Sequence, residues 1–131
     1  RDRDVTGVQT CALPICQFGH RHQHSVQRTG GFVISHHFGG GVYAKETRIP
    51  AGYTLGQHVH LFDHLSILAS GTAEISVDSE TTQHTGPACL VIKAGKQHEV
   101  HALTDVIWYC VHATDCTDPE TVDEVLIVKE A

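Results

Sequence analysis

The most informative part of this sequence is GYTLGQHVHLFDHLSILASG, which runs from Gly52 to Gly71. Three histidines, His58, His60 and His64, lie between its two terminal glycines. Residues two apart on a strand point to the same face, so His58 and His60 are expected to direct their imidazoles to one point. His64 lies at an even offset from both and can join them if the strand continues or bends only mildly. Three converging imidazoles predict a metal site that needs a fourth ligand.

A second segment bounded by glycine, from Gly86 to His98, supplies the fourth candidate. His98 follows Gly95 in the stretch KAGKQHEV, and His101 comes three residues later. An odd offset on a strand places His98 and His101 on opposite faces, so only one of them can be a ligand. The glycine framing favours His98. The predicted metal ligands are His58, His60, His64 and His98.

The first segment resembles the first motif of the cupin family. That motif consists of a glycine, five residues, His-x-His, three or four residues, a glutamate, six residues and a glycine. Gly52, His58, His60 and Gly71 match it, and His64 stands where the family usually has glutamate. A subset of small bacterial cupins with a single domain, some of which bind manganese, also has histidine at this position. The substitution is therefore compatible with a metal site.

The stretch from Gly86 to Ala102 resembles the second cupin motif. Gly86, Gly95 and His98 are in place. Lys93 replaces the usual proline, and Ala102 replaces the usual final asparagine. The two motifs together cover about residues 42 to 113.

The spacing of short apolar segments predicts an all-β fold. Seven or eight short strands separated by glycine-rich turns, without a clear amphipathic helix, favour a double-sheet jelly roll. The resemblance implies the same fold, the double-stranded β-helix or cupin jelly-roll barrel, and a homodimer. A flexible break is expected at residues 39 to 41 and a polar turn at residues 78 to 86. The predicted strands are Phe32 to Ile34, Val42 to Ile49, Leu65 to Leu68, Thr72 to Val77, Pro87 to Lys93, Val106 to Thr114, and Val122 to Val128 if that segment is not a short helix.

Two of these strands leave open which face lines the pocket. In the first, either Tyr43 or Glu46 could reach the cavity, depending on the face that turns inward. The strand over residues 106–113 has two competing faces, one with Trp108, Cys110 and His112, the other with Ile107, Tyr109 and Val111. The former would place His112 near the metal and make Cys110 prone to oxidation. The latter would make Tyr109 the phenol of the pocket.

The chain ends and the composition limit the classes of protein. Residues 5–15 look like a translated sequencing adapter, so residues 1–16 are interpreted as a leader that is not native, and residues 17–131 as a single domain.

The net charge is −6 and no basic run occurs, which argues against nucleic-acid binding. No apolar run approaches the ~20 residues that a membrane-spanning helix needs. The odd number of cysteines outside the leader suits a reducing compartment, so a cytoplasmic location is expected.

Four imidazoles indicate one divalent transition metal. They suit Zn, Cu, Fe and Ni, and the resemblance adds Mn. The favoured function is an oxidoreductase of dioxygenase type that acts on a small organic substrate, with no catalytic residue assigned. The alternatives are a metal-dependent isomerase or lyase for a sugar or small acid, and a binding protein without turnover. Acid is expected to expel the metal as the histidines gain protons around pH ~6.

Overall fold

The computed structural model describes residues 24–122, without the side chains of residues 24, 25, 57 and 58. The leader at residues 1–16, the domain start at residue 17 and most of the last predicted element, residues 123–128, lie outside this range. The described part contains ten strands. They are β1 (His24–Thr29), β2 (Phe32–Gly39), β3 (Val42–Ile49), β4 (Thr54–Val59), β5 (His64–Ser70), β6 (Thr72–Val77), β7 (Glu80–Thr85), β8 (Ala88–Ile92), β9 (Gln97–Ala102) and β10 (Val106–Ala113).

The strands form two antiparallel sheets. One has six strands in the order β1-β2-β3-β10-β5-β8, and the other has four in the order β4-β9-β6-β7. Chain neighbours such as β4 and β5 lie in different sheets, and the strands that pair within a sheet are often distant in sequence. This arrangement is the predicted double-stranded jelly roll, in which two sheets enclose a common core.

Alternating side chains fill the space between the sheets. In β10 the buried residues are every second one, beginning at Val106 and Trp108, while Ile107 and Tyr109 on the other face are only half-buried. Trp108 is fully buried at the centre of the core. The buried core residues around it are Ile49, Leu68, Ala73, Ile75, Val100, Ala102, Val106 and Cys110. The alternation therefore fixes the face of β10 that lines the barrel.

The structure has two-residue turns at both predicted breaks, and the second segment also contains an unpredicted strand. Gly40 and Gly41 both have positive φ, 61° and 77°, so the residues expected to form a flexible break make a tight hairpin turn between β2 and β3. Asp78 and Ser79, with φ of 48° and 77°, make a similar turn between β6 and β7. β7 occupies most of the segment that the polar composition assigned to a turn. The described chain consequently has ten strands, more than the seven or eight expected.

The two glycines that frame the first motif have different structural roles. Gly71 has a φ of 92°, and a Cβ atom there would collide with the backbone carbonyl of Asp105. Gly52 has a φ of 86° but faces open space. Gly71 is therefore needed both for its positive φ and because a side chain would not fit, whereas Gly52 is needed for its positive φ alone.

The described cysteines are in two states. Cys89 is exposed and Cys110 is buried, and neither forms a disulfide. Cys116 is disulfide-bonded, which the cysteine count did not predict. Among residues 24–122, no helix has the length and apolarity that crossing a bilayer requires.

Candidate metal centre

Four histidines from four parts of the chain meet inside the barrel. His60 lies in the connection between β4 and β5, His64 begins β5, His98 is the second residue of β9, and His112 is near the end of β10. Their exposed fractions are between 1% and 5%. His98 therefore belongs to the four-stranded sheet, while His64 and His112 belong to the six-stranded sheet.

The loop that carries His60 and His64 is fixed to the turn between β8 and β9. The backbone N–H of Gly95 donates to the carbonyl of His60 at 3.1 Å. The backbone N–H of Ala94 donates to the Asp63 carboxylate at 2.8 Å. Both motifs are thus tied together beside the histidines that they contribute. The glycine before His98 has a φ of 80°, which permits the turn that makes this contact.

The rings are close enough to share one ion. The centroid of the His64 ring is 4.2 Å from that of His60 and 4.4 Å from that of His112. The centroid of the His98 ring is 5.3 Å from that of His60 and 5.8 Å from that of His64. Two sets of possible donor atoms have all members within 4.8 Å of one another, namely His60, His64 and His112, and His64, His98 and Cys110.

The polar atoms at this position fit a cation. Both ring nitrogens of His64 and the Nδ1 of His112 are buried and make no hydrogen bond of normal geometry to any described residue. A buried polar atom without a partner is costly, and such atoms in a native protein often indicate an ion that satisfies them. Neutral imidazole is a common metal ligand. The donor set therefore fits a transition metal.

Burial keeps two of these rings neutral. Desolvation lowers the pKa of His64 to about 4, although the backbone of Phe62 and the charge of Asp63 raise it in part. Desolvation also lowers the pKa of His112 to about 3, and the charges of His64, Lys45 and His98 lower it further. Both rings are consequently in the metal-binding form at neutral pH.

The structure shows which faces of β3 and β10 point into the barrel. Tyr43 is inward and its ring centroid lies 6.3 Å from that of His112. Its hydroxyl donates to Nδ1 of His36 at 2.8 Å, because Nε2 of that ring contacts the acceptor Oε1 of Gln27 at 3.0 Å and so carries the proton. Of the two candidate phenols, Tyr43 and Tyr109, Tyr43 is therefore the one that lies beside the histidine cluster.

Glu46 and Tyr109 lie on the opposite, outer face of the six-stranded sheet. The Glu46 carboxylate accepts hydrogen bonds from Arg48 at 2.8 Å, His37 at 3.0 Å and Tyr109 at 3.2 Å. Burial alone would raise the pKa of Glu46, but these hydrogen bonds outweigh it and hold the pKa below its ordinary value. Glu46 and Tyr109 therefore do not line the pocket, and the alternatives that placed them there are wrong. They form a polar cluster outside the barrel.

The structure brings together three of the four predicted ligands, His60, His64 and His98. The side chain of His58 lies outside the described residues, although its backbone pairs with that of His98. His112 was not among the predicted ligands, yet its ring centroid lies only 0.2 Å farther from that of His64 than the His60 centroid does, at 4.4 Å against 4.2 Å. The alternation of Trp108, Cys110 and His112 in the sequence placed these residues on one face of a strand. It could not show that this face points into the barrel.

Comparisons with known proteins identify the fold. No protein-family model matches the sequence, and no curated protein matches it either. Among solved structures, a cupin superfamily protein from Desulfitobacterium hafniense is 16% identical, with 68% of this chain and 83% of that chain covered and a TM-score of 0.59. KdgF from Halomonas sp. is 16% identical, with 69% and 88% covered and a TM-score of 0.60. Salicylate 1,2-dioxygenase from Pseudaminobacter salicylatoxidans is 14% identical, with 55% of this chain covered and a TM-score of 0.52.

The described chain therefore has the cupin fold. The match spans only 21% of the length of the salicylate dioxygenase chain. The likeness concerns the barrel, since each of the three identities is below 20%. The activity of this chain has to be argued from its own residues.

Proposed function

We propose that this protein is a metal-dependent cupin that oxidises a small organic substrate with dioxygen, as a dioxygenase-type oxidoreductase. The observation that carries the proposal is the buried group of four imidazoles, which come from both sheets and have neighbouring ring centroids 4.2–5.3 Å apart. The fold that it shares with salicylate 1,2-dioxygenase supports the reaction class. We propose His58, His60, His64, His98 and His112 as candidate ligands of one divalent transition metal.

The chemistry of the donor set suits this role. A redox-active ion such as Fe, Cu or Mn, when bound, supplies the electrons that make dioxygen reactive towards an organic molecule. Neutral imidazoles leave the charge of the ion uncancelled and thereby stabilise an anionic substrate or its enolate. The apolar core around Trp108 excludes water from the inner side of the site. Tyr43 and His36 offer a hydrogen-bonded pair that can hold a proton beside the cluster.

Oxygen consumption tests the oxidative reaction. The purified protein is stripped with a chelator, loaded separately with Fe, Mn, Cu and Zn, and mixed with small phenols, hydroxy acids and diketones in an oxygen electrode. We expect uptake with at least one redox metal and none with Zn. His64→Ala should abolish it. His101→Ala is the matched control, because His101 lies on the same strand as His98 but faces the other side and contacts Thr54. The absence of uptake with every redox metal would contradict the proposal.

One observation favours a second candidate, a metal-dependent isomerase or lyase. The Tyr43 hydroxyl is buried, hydrogen-bonded to His36 and close to His112. A phenol in this position can pass a proton to or from a substrate whose carbonyl is polarised by a metal. This function predicts turnover of a sugar or small hydroxy acid with Zn under anaerobic conditions. Tyr43→Phe should abolish that turnover and leave the metal content unchanged.

A further inference from the structure

Cys110 is a second type of donor at the same position. It lies on the inner face of β10, two residues before His112, and its exposed fraction is 7%. Its Sγ and the ring nitrogens of His64 and His98 lie within 4.8 Å of one another. His64 belongs to both donor sets, and its buried nitrogens make no hydrogen bond of normal geometry within the described chain. A ligand set of two imidazoles and one sulfur is therefore available beside the all-imidazole set.

Two polar side chains lie across the sheet from Cys110 on the neighbouring strands. The hydroxyl of Ser66, which is fully buried, donates to the Sγ of Cys110 at 3.7 Å. Ser66 is the cross-strand partner of Cys110 on β5, and Lys45 is its partner on β3. Directly opposite residues share a face of the sheet, so Lys45 carries its positive charge on the same side as the thiol.

We propose that Cys110 binds the metal as a thiolate, together with His64 and His98. On binding, the S–H bond is replaced by a sulfur–metal bond and the proton passes to solvent, so no electron is transferred in this step. The thiolate cancels one positive charge of the ion, which the imidazoles do not. Sulfur also selects for softer ions, so the centre should prefer Cu(I) and Zn(II) to Mn(II). The inference rests on the proposed metal centre and is independent of which reaction the protein catalyses.

Cobalt(II) titration tests the ligand directly. Co(II) bound to a thiolate gives a sulfur-to-metal charge-transfer band in the near ultraviolet, which imidazole ligands alone do not produce. The full chain is stripped of metal and titrated with Co(II) as wild type, Cys110→Ser and Cys89→Ser. We expect one strong band in the wild type, the same band in Cys89→Ser, and its loss in Cys110→Ser. Cys89 is the matched control, because it is a free and exposed thiol on β8.

A second measurement covers the case in which Cys110→Ser folds poorly. Zinc-edge X-ray absorption on Cys89→Ser protein should show a sulfur neighbour at about 2.3 Å, in addition to nitrogen at about 2.0–2.1 Å. A zinc shell of nitrogen and oxygen alone, or a cobalt complex without the near-ultraviolet band, would overturn the inference and leave the imidazole centre in place. Failure to bind either ion would overturn both. A sulfur-to-metal charge-transfer band in a protein that takes up no oxygen would support the thiolate ligand and contradict the proposed dioxygenase activity.

Discussion

At the scale of single residues, His112 has the largest consequence for the site. Its ring lies 4.4 Å from His64 and 5.0 Å from His60, measured between centroids, although it belongs to neither sequence motif. We expect His112→Ala to weaken metal binding by at least about tenfold, in the range that loss of a metal-site residue commonly causes. Isothermal titration with Zn(II) or Co(II) measures this, with His101→Ala as the control. Unchanged affinity in His112→Ala would show that the ring only packs against the ligands.

The low pKa values of His64 and His112 make the stability of the metal-free protein depend on pH. Their pKa values are about 4 and about 3 in the folded protein, against 6.5 for an ordinary histidine. Between these values the unfolded chain binds protons that the folded chain does not, so the free energy of unfolding decreases as pH falls from about 6.5 towards 4. The lowered pKa of Glu46 also makes the free energy of unfolding decrease as pH falls, but this decrease begins only near the ordinary pKa of 4.5.

Urea unfolding of chelated protein at pH 7 and pH 5 measures this dependence. We expect a lower midpoint at pH 5. His64→Gln and His112→Gln should each flatten the pH dependence. A midpoint that stays constant or rises at pH 5 would contradict the expected protonation states. Because the folded rings resist protonation, bound metal is also expected to persist below the pH ~6 that unperturbed histidines indicate.

Sequence alone could identify His60, His64 and His98 because each lies in a segment framed by glycines at fixed distances. It could not identify Cys110 and His112. Their strand has apolar or half-buried residues on both faces, so its alternation defines two faces without showing which is interior. That choice depends on the neighbours β3 and β5, which lie far away in the chain. Candidate ligands outside the motifs can therefore be recognised only in the assembled sheet.

At the scale of elements, the framing glycines should respond differently to substitution. Both Gly52 and Gly71 have positive φ, which Ala adopts at a cost. Only Gly71 also faces the Asp105 carbonyl at the β5–β6 corner. We expect Gly52→Ala to lower the free energy of unfolding by about 1 kcal/mol, and Gly71→Ala by more than about 3 kcal/mol because the clash adds to the strain. Denaturant unfolding of the two variants tests this, and equal losses would contradict it.

Most strands with β-branched or apolar residues were predictable. The predicted segments Val42–Ile49 and Thr72–Val77 have the limits of β3 and β6, and those for β5, β8 and β10 agree within about one residue at most ends. β7 was missed because its sequence, ETTQHT, has no apolar alternation and is mostly exposed. It forms because β6 supplies a full set of backbone hydrogen bonds across a two-residue turn. An edge strand of this kind leaves little trace in hydropathy.

At the scale of the whole molecule, the outer face of the six-stranded sheet carries an exposed apolar pair at its β5–β8 edge. Val91 and Leu65 are neighbours there, with exposed fractions of 62% and 40%. Val26 and Val42, which are 45% and 39% exposed, lie on β1 and β3, away from this edge. Neighbouring exposed apolar side chains are typical of a contact site for another protein chain. We propose, in line with the cupin resemblance, that this face forms the interface of a homodimer.

Sedimentation equilibrium tests the dimer. We expect the wild type to be dimeric and Val91→Lys to be monomeric with unchanged metal content, since the substitution places a charge in the exposed apolar pair that Val91 forms with Leu65. Leu103→Lys is the matched control, because Leu103 is 41% exposed but lies in the turn between β9 and β10. A monomeric wild type, or a dimeric Val91→Lys variant, would contradict this interface.

The histidine cluster draws one ring from the smaller sheet and two from the larger, with His60 between them. A single bound ion would fasten the two layers of the barrel to each other from within. Resistance to heat would then follow the supply of metal, with about 1.4 kcal/mol gained for each tenfold excess of free ion over the dissociation constant. Without the ion the two layers would lose this internal link, so a chelator should lower the unfolding temperature of the barrel.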